Sequence, residues 1–381
     1  MKTELTMTIH SAATSLLIKS VEAFGIQLPL NKIVLMSGVE LSVVETLLIR
    51  IEADNGLVGW GEASSAPTHG GASLADMLKS FHDEIHSFLI GKNVLELSGL
   101  TYQLNRLAKN AKSTVAAVDV ALFDLLGKHL GVPVHVLLGG AKRHQVPPLW
   151  LIGNSSIEKD LIEADKKWHD GYRFFKLKLG VKSLDDDIAL TTAMREKFGS
   201  SLQMCSDANM GMNIEQATRY VQAVKDTGLA YLEQPLHKKD IAGTQALVKV
   251  SPIPIGLDES VTSVDDILQA AKDGVQGVSL KTLKLGGLSG VISASHICEA
   301  FGLQMNLASK MAETGIGAAA LLHLSAVLPN VNWGVSPTHL YLDQDVVSHQ
   351  DKPMNGFFNI SSLPGLGVTV NEDVIQQHLA A

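Results

Sequence analysis

From Val146 onward, short apolar runs recur along the chain and end in polar or charged residues. They lie at Val146–Ile152, Phe174–Leu179, Leu202–Asp207, Ala230–Glu233, Ile255–Asp258, Val278–Lys281, Met305–Ser309 and Val331–Val335, with a mean repeat of about 26 residues. Parallel strands need crossovers of a dozen or more residues, usually a helix, so this rhythm predicts eight strands of a (β/α) barrel rather than an open sheet. The first third reads differently. Ser42–Glu52 is rich in Val, Leu and Ile, Asp54-Asn55-Gly56 signals a turn, and Leu57–Glu62 resumes the pattern, which predicts an antiparallel hairpin. Helical patterns follow over Ser73–Ile90 and Ser113–Leu130, the second with apolar residues at 117, 118, 121, 122, 125 and 126 and with Gly131 and Pro133 placed to end it. Strands followed by helices define an α+β domain over residues 1–140, with the barrel over 141–350. The segment 351–381, with Pro364-Gly365-Leu366-Gly367 and a polar helix, is expected to pack back on the first domain.

At 381 residues, 46% hydrophobic and 18% charged, the chain can bury a large core. A net charge of −8 without a Lys/Arg run argues against nucleic acid. It also means that an anionic substrate must be attracted locally rather than by the global field. No apolar run has the length of a membrane span, and Thr314–Val327, interrupted by His323 and Ser325, reads as a buried barrel helix. The start, Met1-Lys2-Thr3-Glu4, lacks a secretory pattern, and only Cys205 and Cys298 are present. The expected location is therefore a reducing cytoplasm, with no disulfide framework. No GxGxxG follows a strand, so dinucleotide binding lacks its usual signal.

Three acids end successive strand candidates, Asp207, Glu233 and Asp258, separated by 26 and 25 residues. At the C-terminal rim of a barrel they would meet as an oxygen cage for a hard divalent cation, Mg²⁺ or Mn²⁺. Lys176 and Lys178 lie two apart on one strand and so face the same way, each able to lower the other's pKa. Lys281 ends the sixth strand and would face Lys178 across the barrel mouth, so that a proton can leave either face of a planar intermediate. Lys284, in the loop beyond, reads as an ordinary surface residue. Asn209 and Glu259 are placed to orient the acids or a lysine. Lys310 and Glu313 follow strand seven, and His69 sits in the loop Pro67-Thr68-His69-Gly70-Gly71 of the first domain; all three are candidate substrate contacts.

Phe175-Lys176-Leu177-Lys178, Asp207-Ala208-Asn209, Glu233-Gln234-Pro235, Asp258-Glu259-Ser260, Lys281 with Lys284-Leu285-Gly286-Gly287, and Ala312-Glu313-Thr314-Gly315-Ile316-Gly317 together resemble the enolase superfamily and its muconate-lactonizing subgroup. The resemblance extends from the hairpin to the tail. It implies a modified TIM barrel, (β/α)₇β, under an N-terminal α+β cap completed by the C-terminal segment, with loops near residues 24–36 and 64–72 closing on the substrate. It implies Mg²⁺ on Asp207, Glu233 and Asp258, with Lys178 and Lys281 as the acid/base pair. Lys176 would tune Lys178 or touch the substrate carboxylate. It also implies a homo-oligomer acting on a small-molecule carboxylate.

The expected chemistry is removal of a proton α to a carboxylate through a metal-stabilised enolate, in the manner of a muconate cycloisomerase. Racemases and epimerases of N-substituted or cyclic amino acids and hydroxyproline-type dehydratases share that step. The Asp-x-Asp pair usual in dipeptide epimerases is replaced by Gly334-Val335-Ser336-Pro337-Thr338-His339, which disfavours that specificity. Lys310 departs from the small uncharged residues usual there in muconate cycloisomerases, and would either pair with a second carboxylate or point away from the site. A Schiff-base aldolase using Lys178 or Lys281 is the alternative from another class, and the three-acid cage argues against it. A non-catalytic, metal-stabilised scaffold would tolerate loss of the lysines.

Overall fold

Eight parallel strands line up in sequence order, from Leu149–Ile152 to Val335–Ser336, in the computed structural model, which describes residues 15–36 and 38–380. A parallel bridge between Pro148 and Val335 brings the last strand back to the first. Seven of the strands are followed by helices before the eighth ends the barrel, the (β/α)₇β arrangement. The helices begin where short polar side chains can accept a backbone N–H. Ser156, Ser183, Asn213, Asp240, Ser263 and Thr314 each do so at a first turn, and each such cap stabilises by about 1 kcal/mol.

Several expected strand limits shift. The run Val146–Ile152 is broken by Pro147-Pro148, which cannot continue a ladder; Gln145–Val146 pairs instead with Phe358–Asn359, and Leu149–Ile152 forms the first barrel strand. The eighth strand is Val335–Ser336 rather than Val331–Val335, because Gly334 at φ 97° turns the chain only there.

The expected hairpin forms between Val39–Ala53 and Val58–Ser64. A 19-residue strand, Ile18–Met36, pairs with Val39–Ala53 on its other edge, so residues 24–36 are strand and not the loop that the resemblance implied. Its register breaks between Pro29 and Val34, and its distal part still reaches the barrel, where Val34 and Leu35 stand against Leu151, Gly153 and Lys178. The helix Lys112–Leu130 lies across this sheet, and a Cβ on Gly61 would stand 1.9 Å from the Ala117 carbonyl, so glycine is required for that approach. The C-terminal tail returns to the cap: Gln27 donates its N–H to His378 at 2.9 Å, and Ala380 to Gly25 at 2.8 Å.

Inside the barrel the side chains form layers. At the floor the Tyr231 and Trp333 rings stack 4.0 Å apart, and a Cβ on Gly256 or Gly277 would meet the Trp333 ring at 2.6 or 2.5 Å. Above them Asn306 donates to the Trp333 and Gly334 carbonyls at 3.1 and 2.9 Å, and its Oδ1 accepts from Ser279 at 3.1 Å. The Lys176 ammonium enters this polar layer, and the other charged groups lie above it.

Candidate active site

The C-terminal ends of the strands converge on one cavity under the cap loop that holds Gly70 and Gly71. Strand register sets the heights: Lys178 is opposite Asp207, Asp207 opposite Glu233, and Glu233 opposite Gly256, two residues before Asp258. Even spacing keeps these side chains on the same face. All three acids are buried, and each meets an ammonium group. Lys176 bonds Glu233, Lys178 bonds Asp207 at 2.6 Å, and Lys281 bonds Asp258 at 2.7 Å. Lys178 and Lys281 belong to the second and sixth of eight strands and so stand on opposite sides of the mouth.

Lys284 corrects the expectation of a surface residue. The short helix Thr282–Leu285 folds it inward, and its ammonium lies 2.6 Å from Asp258 Oδ1. The sequence carried a signal for this in Gly286-Gly287, at φ 83° and 99°, which turn the chain sharply after the lysine. Asn209 joins the groups as expected, accepting from Lys178 at 3.0 Å and donating to Glu259 Oε1 at 2.9 Å.

The charges divide the carboxylates. Burial works to raise Asp207, but the Lys178 and Lys176 ammonium groups outweigh it and hold the carboxyl below its usual range. Asp258 is subject to the same opposition, and Lys281 and Lys284 hold it well below that range. Glu233 is raised by burial and by the charges of Asp207 and Asp258, against the pull of Lys176. Burial, with Asp258 and Asp207, pushes Glu259 up to about 7. Lys176 is not depressed as its neighbour's charge suggested: the Glu233 carboxylate overcomes burial and raises it. Its ammonium sits in the polar layer below the mouth, 3.3 Å from Asn306 Oδ1.

The donor set suits a hard divalent cation. Three carboxylates share one rim and repel one another, and Glu259 Oε2 is buried without a hydrogen-bond partner. Among the described residues no three His, Cys, Asp or Glu stand together in metal-holding geometry; a cation entering here would compete with ammonium groups for the same oxygens.

Lys310 also lines the cavity, and burial together with Lys281 and Lys178 lowers it to about 8. Glu313 accepts the Lys310 N–H at 3.0 Å and is pushed by burial to about 7. The sequence reading missed Glu62, at the end of the cap sheet. Its carboxylate accepts from Thr46 Oγ1 at 3.0 Å, from Thr314 Oγ1 at 2.6 Å and from Gly317 N at 2.8 Å, fastening the cap to the first turn of Gly315–Val327. Burial and the Glu313 charge raise Glu62 to about 8. The His69 backbone lies in the turn Pro67–His69; its side chain lies outside the described residues.

A capped (β/α)₇β barrel with acids and lysines at its mouth defines the enolase class of fold, and comparison with known proteins narrows it. Residues 160–374 match the family described as enolase C-terminal domain-like, and residues 27–139 match the mandelate racemase / muconate lactonizing enzyme N-terminal domain. Muconate cycloisomerase 1 of Pseudomonas putida is 30% identical over 94% of this chain and 97% of its own. L-Ala-D/L-Glu epimerase of Bacillus subtilis is 28% identical over 91% and 95%. Muconate lactonizing enzyme from Pseudomonas fluorescens, solved with muconolactone, superposes with a TM-score of 0.92 at 27% identity, over 96% of this chain and all of the other. The chain belongs to the mandelate racemase / muconate lactonizing enzyme family of the enolase superfamily. Its relatives there are isomerases, and the family works with a divalent metal, typically Mg²⁺. No helix among the described residues is long and apolar enough to cross a membrane.

Proposed function

We propose that this chain is a Mg²⁺-dependent isomerase or lyase that removes a proton α to a carboxylate and stabilises the resulting enolate, with a muconate-like acid as the leading substrate class. Mn²⁺ would fit the same oxygens. The observation that carries the reading is the pair of lysines on opposite sides of the mouth, with three carboxylates between them. Asp207, Glu233 and Asp258 would hold the cation, which when bound would draw charge from the substrate carboxylate and stabilise the enolate. Lys178 or Lys281, once its ammonium has released a proton to solvent and left its carboxylate partner, takes the α-proton as the neutral amine, and the other lysine, as ammonium, returns a proton from its own face or faces the developing charge. Asn209 and Glu259 keep Lys178 aimed, Lys176 fixes Glu233 from below, and Lys284 steadies Asp258. Lys310, half-buried at the mouth, faces the substrate's charge, with Glu313 behind it and His69 on the cap loop above. Residues 1–140 and 351–381 would close over the barrel of 141–350. The free thiols Cys205 and Cys298 suit a reducing cytoplasm, and assembly as a homo-oligomer is the family's habit.

The same opposed lysines also suit racemisation or epimerisation, since one can deprotonate and the other reprotonate the same carbon. The test is α-proton exchange in D₂O with Mg²⁺, followed by NMR, across cis,cis-muconate, N-acyl amino acids, proline derivatives and cis-3-hydroxyproline. Deuterium uptake or product from one compound is expected. Silence across the panel with Mg²⁺ bound would move the substrate outside it, and silence without Mg²⁺ binding would remove the site assignment.

A further inference from the structure

Six lysines and four carboxylates line the cavity among the described residues, so the cavity has an excess of positive charge before any cation enters. Four of the lysines already hold carboxylates: Lys176, Lys178, Lys281 and Lys284. Lys238 and Lys310 have no such partner among the described residues. Lys310 belongs to the reacting end, where it feels the charges of Lys281 and Lys178. Lys238 follows a strand three places away around the same wall. It follows the fourth strand, Leu232–Glu233, in the loop Leu236-His237-Lys238-Lys239, and its ammonium lies against the cap, where a Cβ on Gly70 would be 2.9 Å away.

Three amides of the cap loop are used within the loop: Gly70 donates to Pro67 at 3.1 Å, Gly71 to Ala66 at 2.9 Å, and Ala66 to Ala72 at 2.9 Å. A half-buried ammonium without a counter-ion, held between two domains at the edge of a cationic cavity, is a place where a ligand's negative group replaces water at low desolvation cost.

We propose that Lys238 is the contact for a second anionic group on the substrate, and that the enzyme therefore acts on dianions whose far carboxylate points to the Gly70–Gly71 loop. This rests on the proposed function for the placing of the first carboxylate. Lys238 acts as a specificity determinant, and it links recognition to the cap because its ammonium stands beside Gly70 of the cap loop.

The test is calorimetric titration of the Mg²⁺-loaded full chain with adipate and with hexanoate, which match in length and differ by one carboxylate. In the unaltered protein adipate should bind at least about 10-fold tighter, the equivalent of about 1.4 kcal/mol. Lys238→Met should bring adipate to the level of hexanoate, and Lys238→Arg should restore most of the preference. Circular dichroism melts verify that each variant is folded. An adipate preference that is absent in the unaltered protein, or that survives Lys238→Met, overturns the proposal. So does a preference lost in Lys310→Met but kept in Lys238→Met, which would give the second anion to Lys310. If the D₂O panel is silent while the Lys238-dependent preference stands, the substrate lies outside the panel and the anion subsite remains.

Discussion

At the floor of the barrel Tyr231 and Trp333 stack in an apolar layer that leaves no room for a Cβ on Gly256 or Gly277. At the mouth, two to four residues further along the strands of Tyr231, Gly256 and Gly277, acids and lysines replace them. Floor and mouth differ in what holds them together. The floor gains from burial and ring contact, which are lost only if the rings go. The mouth is held by buried ion pairs, whose attraction is largely offset by desolvation and which are costly when one partner is removed. A site built this way is ordered when each charge is matched and responsive when a ligand or cation offers another partner. The polar layer of Lys176, Ser279 and Asn306 between them keeps the two regimes apart, since it satisfies Glu233 from below while leaving the rim to ligands.

The comparison can be broken most decisively at the mouth. Lys281→Ala should cut α-proton exchange by about 10²–10⁴-fold while Mg²⁺ binding, followed by calorimetry, persists; turnover close to that of the unaltered enzyme would take Lys281 out of the mechanism. At the floor, Trp333→Ala should cost about 3–5 kcal/mol in urea unfolding. Mg²⁺ affinity of the folded variant should stay close to normal, and a large loss would mean that floor and mouth are not separable.

Glu233→Gln touches both regimes. It should weaken Mg²⁺ binding by at least about 10-fold, and it leaves the Lys176 ammonium buried without its anion. The expected stability cost is about 3 kcal/mol. Adding Lys176→Met should recover most of that stability but none of the Mg²⁺ affinity. Recovery of neither would show that the pair is not what couples the layer to the rim.

The smallest effect concerns the joint between cap and barrel. Glu62 is raised to about 8 in the folded protein, against about 4.3 for an unperturbed glutamate. The folded state therefore holds this proton more tightly than the unfolded chain does. The stability it contributes is full below about pH 4 and is lost as pH rises through about 8. Thermal melts at about pH 6 and about pH 9 should show a falling Tm, and Glu62→Gln should flatten that fall. An unchanged pH dependence would place the proton on Glu313 alone.

Much of the site could be read along the chain because strand register turns spacing into position. Asp207, Glu233, Asp258, Lys178 and Lys281 end strands of one parallel sheet, and a repeat of one βα unit brings strand ends together whatever the helices contain. The hairpin, the long cap helix and the tail's return were legible for a similar reason, since each rests on local pattern and turn chemistry. Residues 24–36 were not legible as strand, because Pro29 and the Asn31-Lys32 pair interrupt the apolar pattern and hide a pairing made by the neighbouring strand rather than by local preference. Lys284 was hidden because its direction depends on how a four-residue helix and two glycines fold back, and Glu62 because its barrel partners, Thr314 and Gly317, lie about 250 residues away.

The sequence alone thus determined which chemical groups the barrel brings to its rim, since strand order and the two-residue alternation of side chains are properties of the chain itself. Only the tertiary structure decided how those charges are shared: that Lys176 serves Glu233, that Lys284 joins Lys281 on Asp258, and that Lys238 and Lys310 have no carboxylate partner among the described residues. Pairing among buried charges is a competition settled by distance and desolvation in three dimensions, and spacing along the chain carries neither.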